Sequence, residues 1–208
     1  MTDMTDKLVL APEFPELEFQ DGPHIYLLDG EQIPSVSKVM EPLDKAKYER
    51  VDEVTLARAA NRGTIVHNSI ENYIKFGFVD IPGDYRGYMN AFSDWWNTIK
   101  PVVVGSEIRM YHKLMRYAGT CDLLCYIDED LTLIDFKTTY SIDHKTCGVQ
   151  LEAYAQALAS HGIIINRKMI LQLKNNGQHP VYEFPAKDAK RWRVFGACKT
   201  LYDYSREA

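Results

Sequence analysis

Between Pro101 and Thr139 the chain reads as three strand-length segments, PVVVGSEIRMYH, YAGTCDLLCYID and LTLIDFKTT, with only a few residues between one and the next. Connections that short join antiparallel neighbours and cannot carry the chain back for parallel pairing, so they predict an antiparallel meander. The third segment also poses a chemical question. Side chains alternate along a strand, so Asp135 and Lys137 share one face while Ile134 and Phe136 take the other. A charged pair on the face of a core strand is costly to desolvate and calls for a reason beyond packing.

The flanking sequence predicts helices around this sheet. HIYLLDGEQIPSVSKVM reads as a strand, a turn at Asp29-Gly30, a short strand and a helix opening at Pro34-Ser35. Good helix formers follow, but Gly63 interrupts them, which predicts two consecutive helices, YERVDEVTLARAAN and TIVHNSIENYIKFG, with Gly77 as the stop. YRGYMNAFSDWWNTI is a further amphipathic helix ended by Pro101. Its aromatic residues Tyr85, Tyr88, Phe92, Trp95 and Trp96 have helical spacing that suits a core, a stacking platform for unpaired bases being the alternative. Beyond the meander come a helix (HKTCGVQLEAYAQALASHG), two strands (KMILQLK and PVYEFP) around Asn175 to Gly177, and a last helix. The order predicts an α+β, or mixed α/β, fold. Residues 1–23, acidic and Pro-rich, read as an arm; residues 24–208 form one domain, with a hairpin and helices over 24–100 and the sheet over 101–208.

Composition limits the classes available. Hydrophobic residues make up 46% of the chain, enough for a packed core. No apolar run approaches a membrane span, and MTDMTDKLVLAPEF lacks a signal-peptide layout, so a cytoplasmic protein is expected. Cys121, Cys125, Cys147 and Cys198 then read as reduced core thiols, with no zinc spacing among them. The net charge of −5 is uneven, with −7 on residues 1–104 and +2 on residues 105–208. A local basic groove for nucleic acid remains compatible with it.

Asp122, in the middle segment, falls near Asp135 if the sheet opens or bulges near Gly119. Two carboxylates packed together would repel until one turned neutral. A divalent cation keeps both ionised, and hard oxygen ligands suit Mg²⁺ or Mn²⁺. Such an ion acidifies bound water and neutralises charge on a phosphodiester, with Lys137 beside it to orient the water, to stabilise charge or, with a depressed pKa, to act as base. Arg58, Arg62, Lys113, Arg116 and Lys145 lie near these segments and could grip phosphates.

GTCDLL, LIDFKTT and VQLEAYAQAL resemble the G-x-x-D, hydrophobic-D-x-K and Q-x-x-x-Y motifs of the PD-(D/E)XK nuclease superfamily, in its RecB-like branch. RGTIVHNSIE is similar to the helix supplying that branch's metal-binding histidine, and HIYLLDGEQIPSVSKVM resembles the entry hairpin of phage and mitochondrial genome-maintenance exonucleases. The likeness spans roughly Tyr26 to Leu158. It implies a restriction-endonuclease-like core, a central mixed sheet with the three-strand meander flanked by helices. It also implies metal binding by His67, Asp122, Asp135 and the Phe136 carbonyl, with Glu107 for a second ion. Lys137 would be catalytic together with the two aspartates, and Gln150 and Tyr154 would support the site and contact DNA; apart from the resemblance, Arg62 and Arg116 are the DNA-contact candidates among the nearby basic residues. Glu71, one turn from His67, would be at most its partner.

The cysteines do not match the one-early, three-late arrangement of iron–sulfur relatives in this branch, so no cluster is expected. The sequence has no P-loop, so no fused helicase motor is expected. The resemblance implies a Mg²⁺- or Mn²⁺-dependent DNA nuclease, an exonuclease of phage or prophage origin acting in recombination or DNA processing in the bacterial host cytoplasm. Its partners would be DNA ends and a recombination or annealing protein. The alternatives are a structure-specific endonuclease and a non-catalytic DNA-end or protein-binding module.

Overall fold

The computed structural model describes residues 11–48, 51–78 and 81–206. Strands β1 (Leu17–Gln20), β2 (Ile25–Leu28) and β3 (Glu31–Ile33) form an antiparallel sheet, followed by helices α1 (Val36–Tyr48), α2 (Glu53–Phe76) and α3 (Arg86–Ile99). Then come β4 (Val102–Tyr111), β5 (Ala118–Ile127), β6 (Asp130–Lys137), helix α4 (His144–Ala159), β7 (Arg167–Gln172), β8 (Val181–Phe184) and helix α5 (Ala189–Tyr204). The later five strands build one sheet in the order β4-β5-β6-β7-β8. The expected antiparallel meander is β4 to β6. β7 lies parallel to β6, which requires a crossover, and α4 provides it. The fold is mixed α+β.

The sheet separates two cores. On one face Leu131, Leu133 and Ile170 pack with Val36, Val39 and Met40 of α1, Leu151 and Leu158 of α4, and Phe195 of α5. On the other, Leu123, Cys125, Ile134, Phe136, Met169 and Leu171 pack with Val66 and Ile70 of α2 and Met89, Phe92 and Trp95 of α3. The aromatic set on α3 is therefore core at Phe92 and Trp95, with Tyr85, Tyr88 and Trp96 half-buried against it. All four cysteines are buried free thiols. Among the described residues no helix is long and apolar enough to cross a membrane.

Two expectations need correction. The pair of helices broken at Gly63 is a single α2, because an interior glycine costs only about 1 kcal/mol in a helix and both ends are well capped. Asp52 accepts the Thr55 N–H at 2.9 Å, and Gly77, at φ 75°, returns its N–H to Tyr73. The arm expected through residue 23 also contains structure. Residues 1–10 lie outside the described residues, but Leu17–Gln20 pairs with Ile25–Leu28 as β1, and Glu16 accepts the Tyr111 hydroxyl at 2.5 Å. The small sheet is tied to the large one by Ala118 N–H to the Pro34 carbonyl (2.8 Å) and by Tyr26 to Thr120 (2.8 Å).

Candidate active site

The site forms where β5 and β6 part. Their register runs from Ile127↔Asp130 to Leu123↔Ile134 and stops there. One residue further, the Asp122 carboxylate accepts the Phe136 N–H through Oδ2 at 2.5 Å. Facing alternation on β5 is interrupted at the same point, since Leu123 and Cys125 belong to one core while Cys121 joins Leu124 in the other. Opposite Asp122 on β4, Glu107 has φ 50°, left-handed backbone that a non-glycine residue adopts at a cost of order 1–3 kcal/mol.

α2 presents His67 to this opening, with Nδ1 3.3 Å from Asp122 Oδ1. His67, Glu107 and Asp122 each offer a ligand atom, all within 4.8 Å of one another. Asp135, on the neighbouring strand, is drawn to Lys137 at 2.6 Å through Oδ2. It also accepts Gln150 Nε2 at 3.2 Å through Oδ1. Gln150, on α4, receives Lys137 Nζ at 3.1 Å and donates to the Tyr154 hydroxyl at 3.0 Å. As alternation requires, Asp135 and Lys137 face α4 and Phe136 faces the opposite core.

Burial opposes the charge of every group here, and the neighbours decide which one keeps it. Burial works against ionised Asp122, but the charge and hydrogen bond of His67, with Lys137 and the Phe136 N–H, outweigh it and hold this acid below the usual carboxylate range. Burial likewise opposes the His67 imidazolium, yet Asp122 overcomes it and pushes His67 up to about 9. For Asp135 burial wins over Lys137, and its carboxyl is raised. Glu107 is pushed up to about 7 by burial and then by the charge of Asp122. Lys137 is raised despite burial because Asp135 and Asp122 hold its proton. Of the roles open to Lys137, a raised pKa favours orienting water or stabilising charge over acting as base, since two carboxylates outweigh desolvation.

The donor set suits a hard divalent cation. Two clustered carboxylates with one imidazole are a ligand combination for such an ion. Asp135 Oδ2, buried and close to Lys137, receives no directed hydrogen bond, and a buried acceptor so placed calls for a further partner.

Other expected residues are placed differently. Arg62, on α2, donates through Nε to Thr138 Oγ1 at 3.2 Å and so reaches the strand end beside Lys137. Tyr154 is only 4% exposed. Gly119 admits its ring, a Cβ there falling 2.5 Å from Tyr154 Cε1. A ring enclosed in that way braces Gln150 and is not open to a DNA surface. Arg116 pairs with Glu31 at 2.9 Å in the turn before β5, beyond the end of the strand that carries Asp122. Glu71 pairs with Lys75 at 2.5 Å along the helix face. Sequence reasoning passed over Thr138 and Gln172, which anchor the segment after Lys137; the only signal was the polar run TTYS.

No family model matches the sequence, and no curated protein matches it. Solved structures do. The chain superposes on a crystal structure described as a candidate exonuclease from Eubacterium rectale with a TM-score of 0.51 at 11% identity, over 83% of this chain and 79% of that one. At that identity the likeness is one of fold, which this chain shares with that structure. An alkaline exonuclease from Laribacter hongkongensis aligns with a TM-score of 0.43 at 10% identity over 67% of this chain and 76% of its own. The same exonuclease in complex with dAMP aligns with a TM-score of 0.43 at 11% identity over 83% and 87%.

Proposed function

We propose that this protein is a divalent-metal-dependent DNA nuclease, and within that class an exonuclease of phage or prophage origin acting on DNA ends in recombination or processing, with an annealing or recombination protein as partner. The observation that carries the reading is the meeting of His67, Glu107 and Asp122 with the Asp135–Lys137 pair at the opening between β5 and β6, on a fold shared with an exonuclease-like structure. Residues 24–208 act as one nuclease domain, to which β1 adds an edge strand.

In this reading His67, Glu107, Asp122 and Asp135 hold Mg²⁺ or Mn²⁺, with the Phe136 carbonyl beside them. The bound ion supplies an acidified water and neutralises phosphodiester charge. Lys137, kept protonated, sets a positive charge against the oxyanion that develops at phosphorus and orients the attacking water. Gln150 fixes both Lys137 and Asp135, and Tyr154 fixes Gln150. Arg62 uses only Nε on Thr138, and among the described residues no carboxylate pairs with its guanidinium, which suits it to a backbone phosphate.

End-labelled single- and double-stranded DNA, incubated with Mg²⁺, Mn²⁺ or EDTA and read on a gel, tests the proposal. Metal-dependent loss of label with short products supports an exonuclease. Cutting of a covalently closed circle would make it an endonuclease, and binding without cutting in any metal would leave a DNA-end module.

A further inference from the structure

Three residues beyond Lys137 the chain presents an aromatic ring that packing does not explain. Tyr140 is 99% exposed, yet the backbone that carries it is firmly held. Gln172, itself 1% exposed, donates from Nε2 to the carbonyls of both Thr139 (2.7 Å) and Tyr140 (2.9 Å). Tyr182 donates to Gln172 Oε1 at 3.2 Å. The Leu173 N–H reaches the Lys137 carbonyl at 2.8 Å, and the Thr139 hydroxyl reaches the Ser141 carbonyl at 3.1 Å. β7 and β8 thus clamp the segment from Lys137 to Ser141 while the ring stands in water.

Single exposed apolar residues are common on protein surfaces; the position of this one sets it apart. Thr139 and Ser141, on either side of it, line a cleft of about 260 Å³ whose wall includes Lys137 and Gln150. Arg62 reaches the same strand end through Thr138. The ring therefore sits three residues beyond Lys137, between two small polar residues that line this cleft, where a strand bound along the cleft would pass it.

We propose that Tyr140 stacks on a nucleobase of the bound strand, and that the substrate presents an unpaired base there. The inference rests on the nuclease reading and narrows its substrate to single-stranded DNA or unpaired ends. Within a duplex each base is covered above and below by its neighbours, so only an unpaired or terminal base offers a free face to a ring. Phosphate contacts such as the one open to Arg62 weaken with salt, whereas aromatic stacking does not depend on counterion release and adds to them. Because the backbone is already held, binding orders little more than the ring itself.

The test uses the full chain. With single-stranded DNA, Tyr140→Ala should raise KM about tenfold and change kcat less, and Tyr140→Phe should restore the wild-type KM. The loss should be larger for a duplex with an unpaired overhang than for a blunt one. In EDTA, where no strand is cut, a short oligonucleotide carrying 2-aminopurine should be quenched by the wild type and by Tyr140→Phe but not by Tyr140→Ala. Gln172→Leu, which frees the segment without removing the ring, should raise KM in part. Equal KM and equal quenching for wild type and Tyr140→Ala would overturn the inference and leave the nuclease reading standing. A wild type that quenches the probe through Tyr140 but cuts no DNA would do the reverse.

Discussion

Asp122 Oδ2 takes the backbone N–H of Phe136 at 2.5 Å, and that bond ends the ladder between β5 and β6. A continued register would set Phe136 against Cys121 and give its N–H to the backbone. With the carboxylate accepting instead, the buried donor stays satisfied while the strands separate. Asp122 Oδ1 faces His67 in the space so made. One aspartate therefore both opens the sheet and equips the opening with charge, and Asp122→Ala should lose metal binding and loosen the sheet end together.

Lys137→Ala should lower kcat about 10²–10³-fold, the usual cost of removing a group aimed at transition-state charge. Metal and DNA binding, read by calorimetry, should be largely retained, because the ammonium lies outside the ligand set. Asp135→Asn should lose metal and activity together. Near wild-type cleavage by Lys137→Ala, with the fold intact, would reduce the pair to a strand-end ion pair.

Metal binding should depend on pH through His67. The imidazole must be neutral to serve as a ligand, and without metal it is pushed up to about 9. Mn²⁺ should therefore displace a proton at pH 7.5, and its affinity should climb with pH until about pH 9. His67→Ala should weaken binding about 10–100-fold and flatten the climb. In the metal-free protein the raised pKa adds stability that is complete below the unfolded value of 6.5 and lost as pH rises through about 9. Wild-type affinity that ignores pH would remove His67 from the ligand set.

Glu107 also loses stability as pH rises, but over a lower range. Its folded pKa of about 7 lies above the unfolded 4.5, so the fold prefers the protonated acid, and stability falls as pH rises from 4.5 to 7. Glu107→Gln should stabilise the metal-free protein in EDTA at pH 8 by about 1–2 kcal/mol in urea unfolding, and weaken metal binding. No gain at pH 8 would show that Glu107 is better solvated than its surroundings suggest.

Lys168 on β7 and Glu152 on α4 form an ion pair with both side chains 1% exposed, and Gln156 donates to the same carboxylate at 2.8 Å. Lys168→Met should destabilise by about 3–5 kcal/mol, because it strands a buried carboxylate. Adding Glu152→Leu should recover most of that loss, measured as the shift in denaturation midpoint at unchanged slope. Equal single and double variants would show that packing, and not charge, dominates there.

Much of this protein was legible in its sequence. The period-2 runs of β4, β5 and β6 and the short links between them set an antiparallel meander, and the spacing of Asp135, Phe136 and Lys137 set which side chains share a face. The types and order of His67, Asp122, Asp135 and Lys137 pointed to metal chemistry. Those signals are local, because side-chain alternation and helical periodicity report which way a residue faces relative to its own backbone. What only the tertiary structure decided depends on partners distant in sequence. Gly63 lies inside one helix because capping at Asp52 and Gly77 outweighs its propensity cost. Leu17–Gln20 is a strand because Ile25–Leu28 is there to pair with it. Tyr154 is enclosed because Gly119 leaves room for its ring, Lys137 stays charged because two carboxylates face it, and β5 parts from β6 because a side chain outcompetes a carbonyl for the Phe136 N–H. Only the cost of Gly63 is a local propensity, of about 1 kcal/mol; the other outcomes depend on contacts that no local pattern encodes.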